Sequence, residues 1–257
     1  MNSFVEDIFT EQEDVDPDTL ANLGPLRPLA GTWTSAAGAD SHPVVDGSED
    51  DAFVEHYELN PTDAQTNGPQ LFYGLRYHTH ITKPGEIETF HDQAGYWLWE
   101  PATGNLLFTL AIPRGQVALA GGTAAPGDTR FRVSARAGDP HFAILSNPFL
   151  DYGFHTVSFT MTVTMEPDGG WSYEEDTVLM VRGRPEPFHH TDRNTLRRVA
   201  DPVPNPLAQP TARAVTSSPR ATRIVETSDG GNRPWETTPG VAQSAADSAT
   251  GSPTSPQ

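Results

Sequence analysis

The chain has no cysteine among its 257 residues, which excludes disulfide staples and thiolate chemistry and leaves nothing of a secreted disulfide scaffold. Positive charge is scarce as well: 16 Lys and Arg stand against 34 Asp and Glu, a formal net charge of −18. Acid concentrates in residues 6–18 and 46–55, where it repels phosphate backbones and anionic membranes and disfavours nucleic acid as a partner. Both runs read as solvated surface. No apolar run approaches the roughly 20 residues of a membrane span, and the N-terminal stretch is acidic where a signal peptide would be basic and apolar. A soluble, cytoplasmic protein is the expectation. There is no Gly-x-Ser-x-Gly elbow, phosphate-binding glycine loop or dinucleotide fingerprint, and no helical periodicity of ordinary length. Large apolar residues almost vanish after Asp201, where Pro, Ser, Thr, Ala and Gly take over. Such a segment cannot bury enough surface to offset its ordering entropy.

These absences divide the chain into an acidic N-terminal segment (1–22), one domain (23–200) and a disordered tail (201–257). Within the domain, strand-like runs follow one another at short spacing, at 52–59, 70–82, 87–100, 105–112, 116–120, 129–135, 155–165, 171–181 and 188–199, after a first strand opened by Gly31-Thr32-Trp33. The run 156–165 is the plainest, with Val157, Phe159, Met161, Val163 and Met165 alternating with Thr and Ser. Turn chemistry separates the runs at Asn60-Pro61, Lys83-Pro84-Gly85, Pro101–Gly104, Gly121-Gly122, Pro126-Gly127-Asp128 and Asp168-Gly169-Gly170. Residues 41–51 read as a polar loop, and Asp16-Pro17-Asp18 as the start of a short helix at 19–23. About ten antiparallel strands that must hide their edges imply an all-β, up-and-down barrel, with a two-sheet jelly roll as the alternative. Leu23, Leu26 and Leu29 are placed to plug one end. The apolar segment 138–153, broken by Asn147-Pro148 and Gly153, reads as a lid across a barrel mouth.

Nine histidines are the first candidates for chemistry. His42 and His56 accompany the acidic loop and carry a surface or structural reading; His141 and His155 flank the lid segment. His78 and His80 lie two apart on a strand, sharing a face with Arg76, and such a pair can ligate a metal in the manner of the cupins, although the spacing to a following acid does not match. His91 sits in the hairpin 86–113, on one face with Gln93, Gly95, Trp97 and Trp99. Neither face of that arm is wholly polar, so His91 reads as lining an interior site.

Three stretches together resemble a known family. Leu26-x-x-Leu29-Ala30-Gly31-Thr32-Trp33, then Glu88–Trp97 (ETFHDQAGYW), then PEPFHHTDRNTLRRV at 185–199 are similar, in order, to the nitrobindins, ten-stranded barrels that bind haem b. The resemblance spans roughly residues 23–199. It implies His190, with His189 as the alternative, as the axial ligand of haem iron. His91 is implied on the pocket wall, with Phe90 and Trp97 of the same strand as further haem contacts. It also implies nitric oxide binding and a peroxynitrite isomerase-like activity, in which one axial histidine leaves the sixth position open to a small ligand. Two departures stand out. Thr34-Ser35-Ala36-Ala37-Gly38 replaces the family's Gly-rich continuation after Trp33, and counting back from Leu196 the family's histidine falls on Thr191, so His190 is expected to need a bulge to point inward. The alternatives are a haem-free carrier of a small apolar ligand and, third, the His78/His80 metal site. Neither a monomer nor a homodimer is implied.

Overall fold

Alternation of period two gives every strand one face that must leave water, and the sheet satisfies all of these faces by closing on itself. The computed structural model describes residues 7–204; the tail expectation lies, from residue 205 onward, outside them. Twelve strands follow in chain order: β1 (Gly31–Val44), β2 (Gly47–Pro61), β3 (Gln65–Asn67), β4 (Gln70–Thr82), β5 (Thr89–Glu100), β6 (Asn105–Ile112), β7 (Gln116–Thr123), β8 (Arg130–Arg136), β9 (Ile144–Ser146), β10 (Phe154–Met165), β11 (Trp171–Val181) and β12 (Phe188–Ala200). Ten of them form the ring, every neighbour antiparallel, with β3 and β9 as short additions. Pairing of β1 with β12, from Thr32 opposite Ala200 to Ser41 opposite Thr191, closes it. The expected up-and-down barrel of about ten strands is what forms, and the jelly roll is excluded.

One end is sealed by apolar side chains. Helix α1 (Thr19–Asn22), capped by the Asp18 carboxylate accepting from the Ala21 N–H, leads into a 3-10 turn over Gly24–Leu29. Leu23, Leu26 and Leu29 are fully buried there with Trp33, Trp171 and Leu196. The Trp33 indole donates to the Leu29 carbonyl at 2.8 Å and meets Trp171 edge-on at 6.1 Å. Above this plug lies an aromatic stack in which Trp97 packs on Phe108 at 4.3 Å and Phe108 on Tyr77 at 5.2 Å.

Three local expectations are corrected. Residues 41–51 are not a loop: β1 and β2 stay paired up to Val44 opposite Gly47, so the acidic residues of this stretch stand on a hairpin at the barrel mouth. Gly121-Gly122 is not a turn but the interior of β7, and glycine is needed because a Cβ there would lie 2.3 Å from the Phe142 ring or 2.0 Å from the Arg132 carbonyl oxygen. Segment 138–153 is not a lid over the mouth. Between β7 and β8 only Gly121 and Gly122 pair, and β9 fills the opening by pairing Ala118 with Ile144 and Gln116 with Ser146. Helix α2 (Pro148–Gly153), capped by the Asn147 side chain, then sits at the rim.

Candidate functional site

The inward faces change character halfway up the barrel. Below they are aromatic and aliphatic; above they carry titratable groups. At the boundary Glu55 of β2 is 1% exposed and accepts hydrogen bonds from Thr79 Oγ1 (2.7 Å), Tyr173 OH (2.9 Å) and Asn194 Nδ2 (2.6 Å). Burial nevertheless raises its carboxyl above the ordinary range, because three neutral donors do not replace the water it has lost.

Above Glu55, β1, β11 and β12 bring three more carboxyl groups together. Asp40 faces Asp192 across the β1–β12 pair, and Glu175 faces Asp192 across the β11–β12 pair. Burial pushes Glu175 well up, with repulsion from Asp192 and Glu55 adding to it. It pushes Asp192 up as well, and the hydrogen bond and repulsion from Asp40 add to the rise. Burial alone would raise Asp40 too, but hydrogen bonds from His190, Asp192 and His42 and the charge of His190 hold it at about 2. Asp40 thus links two imidazoles: His190 Nε2 lies 2.7 Å from its Oδ1, and His42 Nδ1 lies 2.6 Å from its Oδ2. His190 Nε2 also comes within 3.6 Å of Asp192. At the rim Lys83 pairs with Asp51 at 2.6 Å, and its ammonium lies over the Phe90 ring.

The residues singled out from sequence fall into different places. His190 points into the barrel on the face of Asn194 and Leu196, and it needs no bulge, since β12 keeps an unbroken register with β11 from Phe188 to Leu196. The β1–β12 pairing shifts register twice instead, between Thr32 and Trp33 and between Thr34 and Ala39, the second where the chain departs from the family's Gly-rich pattern. His189 points outward, exposed, with Nδ1 2.9 Å from Asp176, and does not enter the cavity. His91 faces inward from β5, on the wall across the ring from β12. Among the described residues its one hydrogen-bond contact is a long 3.4 Å approach to Gln93 Oε1, and burial lowers its pKa, which favours the neutral ring. Phe90 is the extra residue of a bulge between the Ile81–His91 and Thr82–Thr89 pairs, and its ring meets His42 at 6.1 Å. Trp97 lies deep in the aromatic stack, 1% exposed, below the titratable layer. His78 and His80 stand on the outer wall, bonded separately to Asp92 (2.9 Å) and Thr89 (3.0 Å), so the pair is not assembled with other metal donors among the described residues.

Sequence reasoning missed Asp40, Glu55, Glu175 and Asp192, and read Glu55 as part of a solvated acidic run. A signal existed. Glu55 shares strand parity with Tyr57 and Leu59, and Asp192 shares it with Asn194 and Leu196, so each acid falls on a core-facing position. Two concavities accompany this layout. A mouth pocket of about 190 Å³ is lined by Phe90, His91, Ile112 and Arg114. A larger groove of about 700 Å³ lies outside the barrel, along Arg76, Tyr96, Val117 and Leu145. The buried carboxyls and the inward imidazoles are in the barrel, whereas the larger groove carries Glu58, Arg76, His78 and His141 on its outer wall.

A closed ten-stranded barrel, sealed at one end and carrying histidines and acids toward the other, defines a small-ligand-binding β-barrel. The chain matches, over residues 22–198, the family described as THAP4-like, heme-binding beta-barrel domain, and it belongs to that family, the nitrobindin-type barrels that its sequence resembles. Among solved structures it is similar to Rv2717c from M. tuberculosis, at 21% identity, covering 72% of this chain and 99% of that one with a TM-score of 0.50, a likeness of fold. No curated protein matches it significantly.

Proposed function

We propose that the upper cavity binds haem b, with His190 as the axial imidazole and His91 on the facing wall, and that the protein acts on small nitrogen–oxygen species. The observation that carries this reading is a pair of inward imidazoles on opposite walls of a one-ended cavity, in a chain of a haem-binding family. Apolar side chains flank them: Phe53 and Ile81 are buried nearby, and Phe90 and Ile112 line the mouth. Lys83, Arg114 and Arg184 stand at the rim, where carboxylates of a ligand find cations. The upward shifts of Asp192 and Glu175 favour their neutral forms, which makes the cavity less anionic than its composition implies. These residues fit the group with one adjustment, since His190 Nε2 rests on Asp40 and must turn from it.

Bound haem would supply an iron able to take up a diatomic or peroxy ligand. The chain's own contribution is to orient His190 and to keep His91 neutral, so that it meets such a ligand as a hydrogen-bonding group rather than a cation. A carrier of a purely apolar ligand is less well supported, because the upper lining is polar. Haemin titration of the purified chain, followed by absorbance, tests the reading. A Soret band that survives His189→Ala and is lost or shifted in His190→Ala is expected; a protein that takes up no haemin overturns it.

A further inference from the structure

The Asp40–His190 contact that haem would have to displace is itself the core of a donor cluster. We propose that Asp40, His190 and Asp192 bind a divalent first-row transition-metal ion at the barrel mouth. The inference goes beyond the haem reading and does not rest on it; the two occupants compete for His190.

Geometry comes first. Ligand atoms about 2.0–2.2 Å from an ion can be no more than about 4.4 Å apart. Asp40 Oδ1 stands 2.7 Å from His190 Nε2, and Asp192 Oδ2 stands 3.6 Å from the same nitrogen. Donor atoms of these three residues all lie within 4.8 Å of one another, so the set closes on an ion with small side-chain movements. The three come from two adjacent strands of a rigid closed sheet, with Asp40 and Asp192 directly opposite in register, and this rigidity pre-sets the donors.

Chemistry comes second. The set is mixed, one imidazole and two carboxylates, which suits Zn²⁺, Fe²⁺, Mn²⁺ or Co²⁺ better than the all-oxygen cages of Ca²⁺. His42 stands behind it, 2.6 Å from the other Asp40 oxygen, in the place of an outer partner that orients a ligating carboxylate.

A further carboxyl stands beside the set. Glu175 is half-buried, faces Asp192 across the strand pair, and accepts no hydrogen bond from any described residue. A dication between Asp192 and His190 would answer Glu175 directly, or through a bound water.

The test uses the full chain stripped with EDTA and titrated with Co²⁺, read by visible d–d absorption, with Zn²⁺ calorimetry beside it. One ion per chain is expected, with binding weakened at least about tenfold in Asp192→Asn and His190→Gln and unchanged in His189→Gln. Asp40→Asn joins the series if circular dichroism shows it folded; otherwise the other two variants carry the comparison. No stoichiometric Co²⁺ uptake, or uptake equal in Asp192→Asn, His190→Gln and the parent chain, overturns the proposal. Failure of haemin to bind sinks the haem reading alone and leaves the Co²⁺ titration intact. Where both bind, saturating Zn²⁺ should suppress the Soret band, and haemin uptake undiminished by Zn²⁺ would place the ion away from His190 and overturn the assignment.

Discussion

At the scale of single residues, the sharpest energetics belong to Glu55 and His91. Glu55→Ala would leave Thr79, Tyr173 and Asn194 with donors aimed at nothing. An orphaned buried donor costs roughly 1–3 kcal/mol, so the variant should lose at least about 3 kcal/mol in urea unfolding, whereas Glu55→Gln keeps an acceptor and should lose about 1. His91 gives a pH dependence. Burial lowers its folded pKa, while the unfolded value stays near about 6.5. Below that unfolded pKa the unfolded chain binds a proton that the folded barrel refuses, so stability falls as pH drops from about 6.5 toward the folded pKa and is fully present above 6.5. The groups that bear on the ring are Arg114 and His190, which depress it further, and Gln93 and Asp92, which oppose. His91→Phe should flatten this acid-side slope in melts between pH 7 and 5; an unchanged slope would show that His91 is not its source.

At the scale of elements, strand β7 and the seam beside it decide most. Gly121→Ala drives a Cβ into the ring of Phe142, which is 37% exposed and can swing outward. Gly122→Ala drives one into the Arg132 carbonyl, which is backbone of the neighbouring strand and cannot. Chemical denaturation should therefore rank Gly122→Ala as the costlier change, with the Gly121 variant near about 1 kcal/mol and the Gly122 variant at the upper end of about 1–3. This seam also shows why part of the fold was hidden in the sequence. Alternation, as in 156–165, reports local strand character, so the ten-strand ring and the Leu23–Leu29 plug were legible. Gly121-Gly122 carries the same composition whether it turns or packs, and only the third dimension distinguishes them. The mouth hairpin was hidden likewise, because the polarity of residues 41–51 reads as loop until pairing is seen. Of the candidate site, the inward placement of His91 was legible through parity, while His190 was singled out by motif and its inward placement without a bulge was not foreseen. The acids were not, since in a chain with 34 of them composition marks none as internal.

At the scale of the whole molecule, closure is the source of cooperativity. Every ring strand has two partners only because β12 returns to β1. A chain ending before Phe188 would expose an edge on both β1 and β11 and remove Leu196 from the plug and Asn194 from Glu55. Such a chain should show no cooperative thermal transition by calorimetry; a sharp melt would mean that nine strands suffice.

The same β1–β12 pairing fixes where the barrel can be handled. Thr32 opposite Ala200 puts the beginning of the first strand and the end of the last beside the Leu23–Leu29 plug, at the pole away from Phe90, His91 and the acidic hairpin. Whatever is joined to the chain beyond either end of the barrel, whether a neighbouring domain or an anchoring tag, is therefore attached at the blind pole. The barrel can be tethered at its base while its mouth remains free to exchange ligand with the medium.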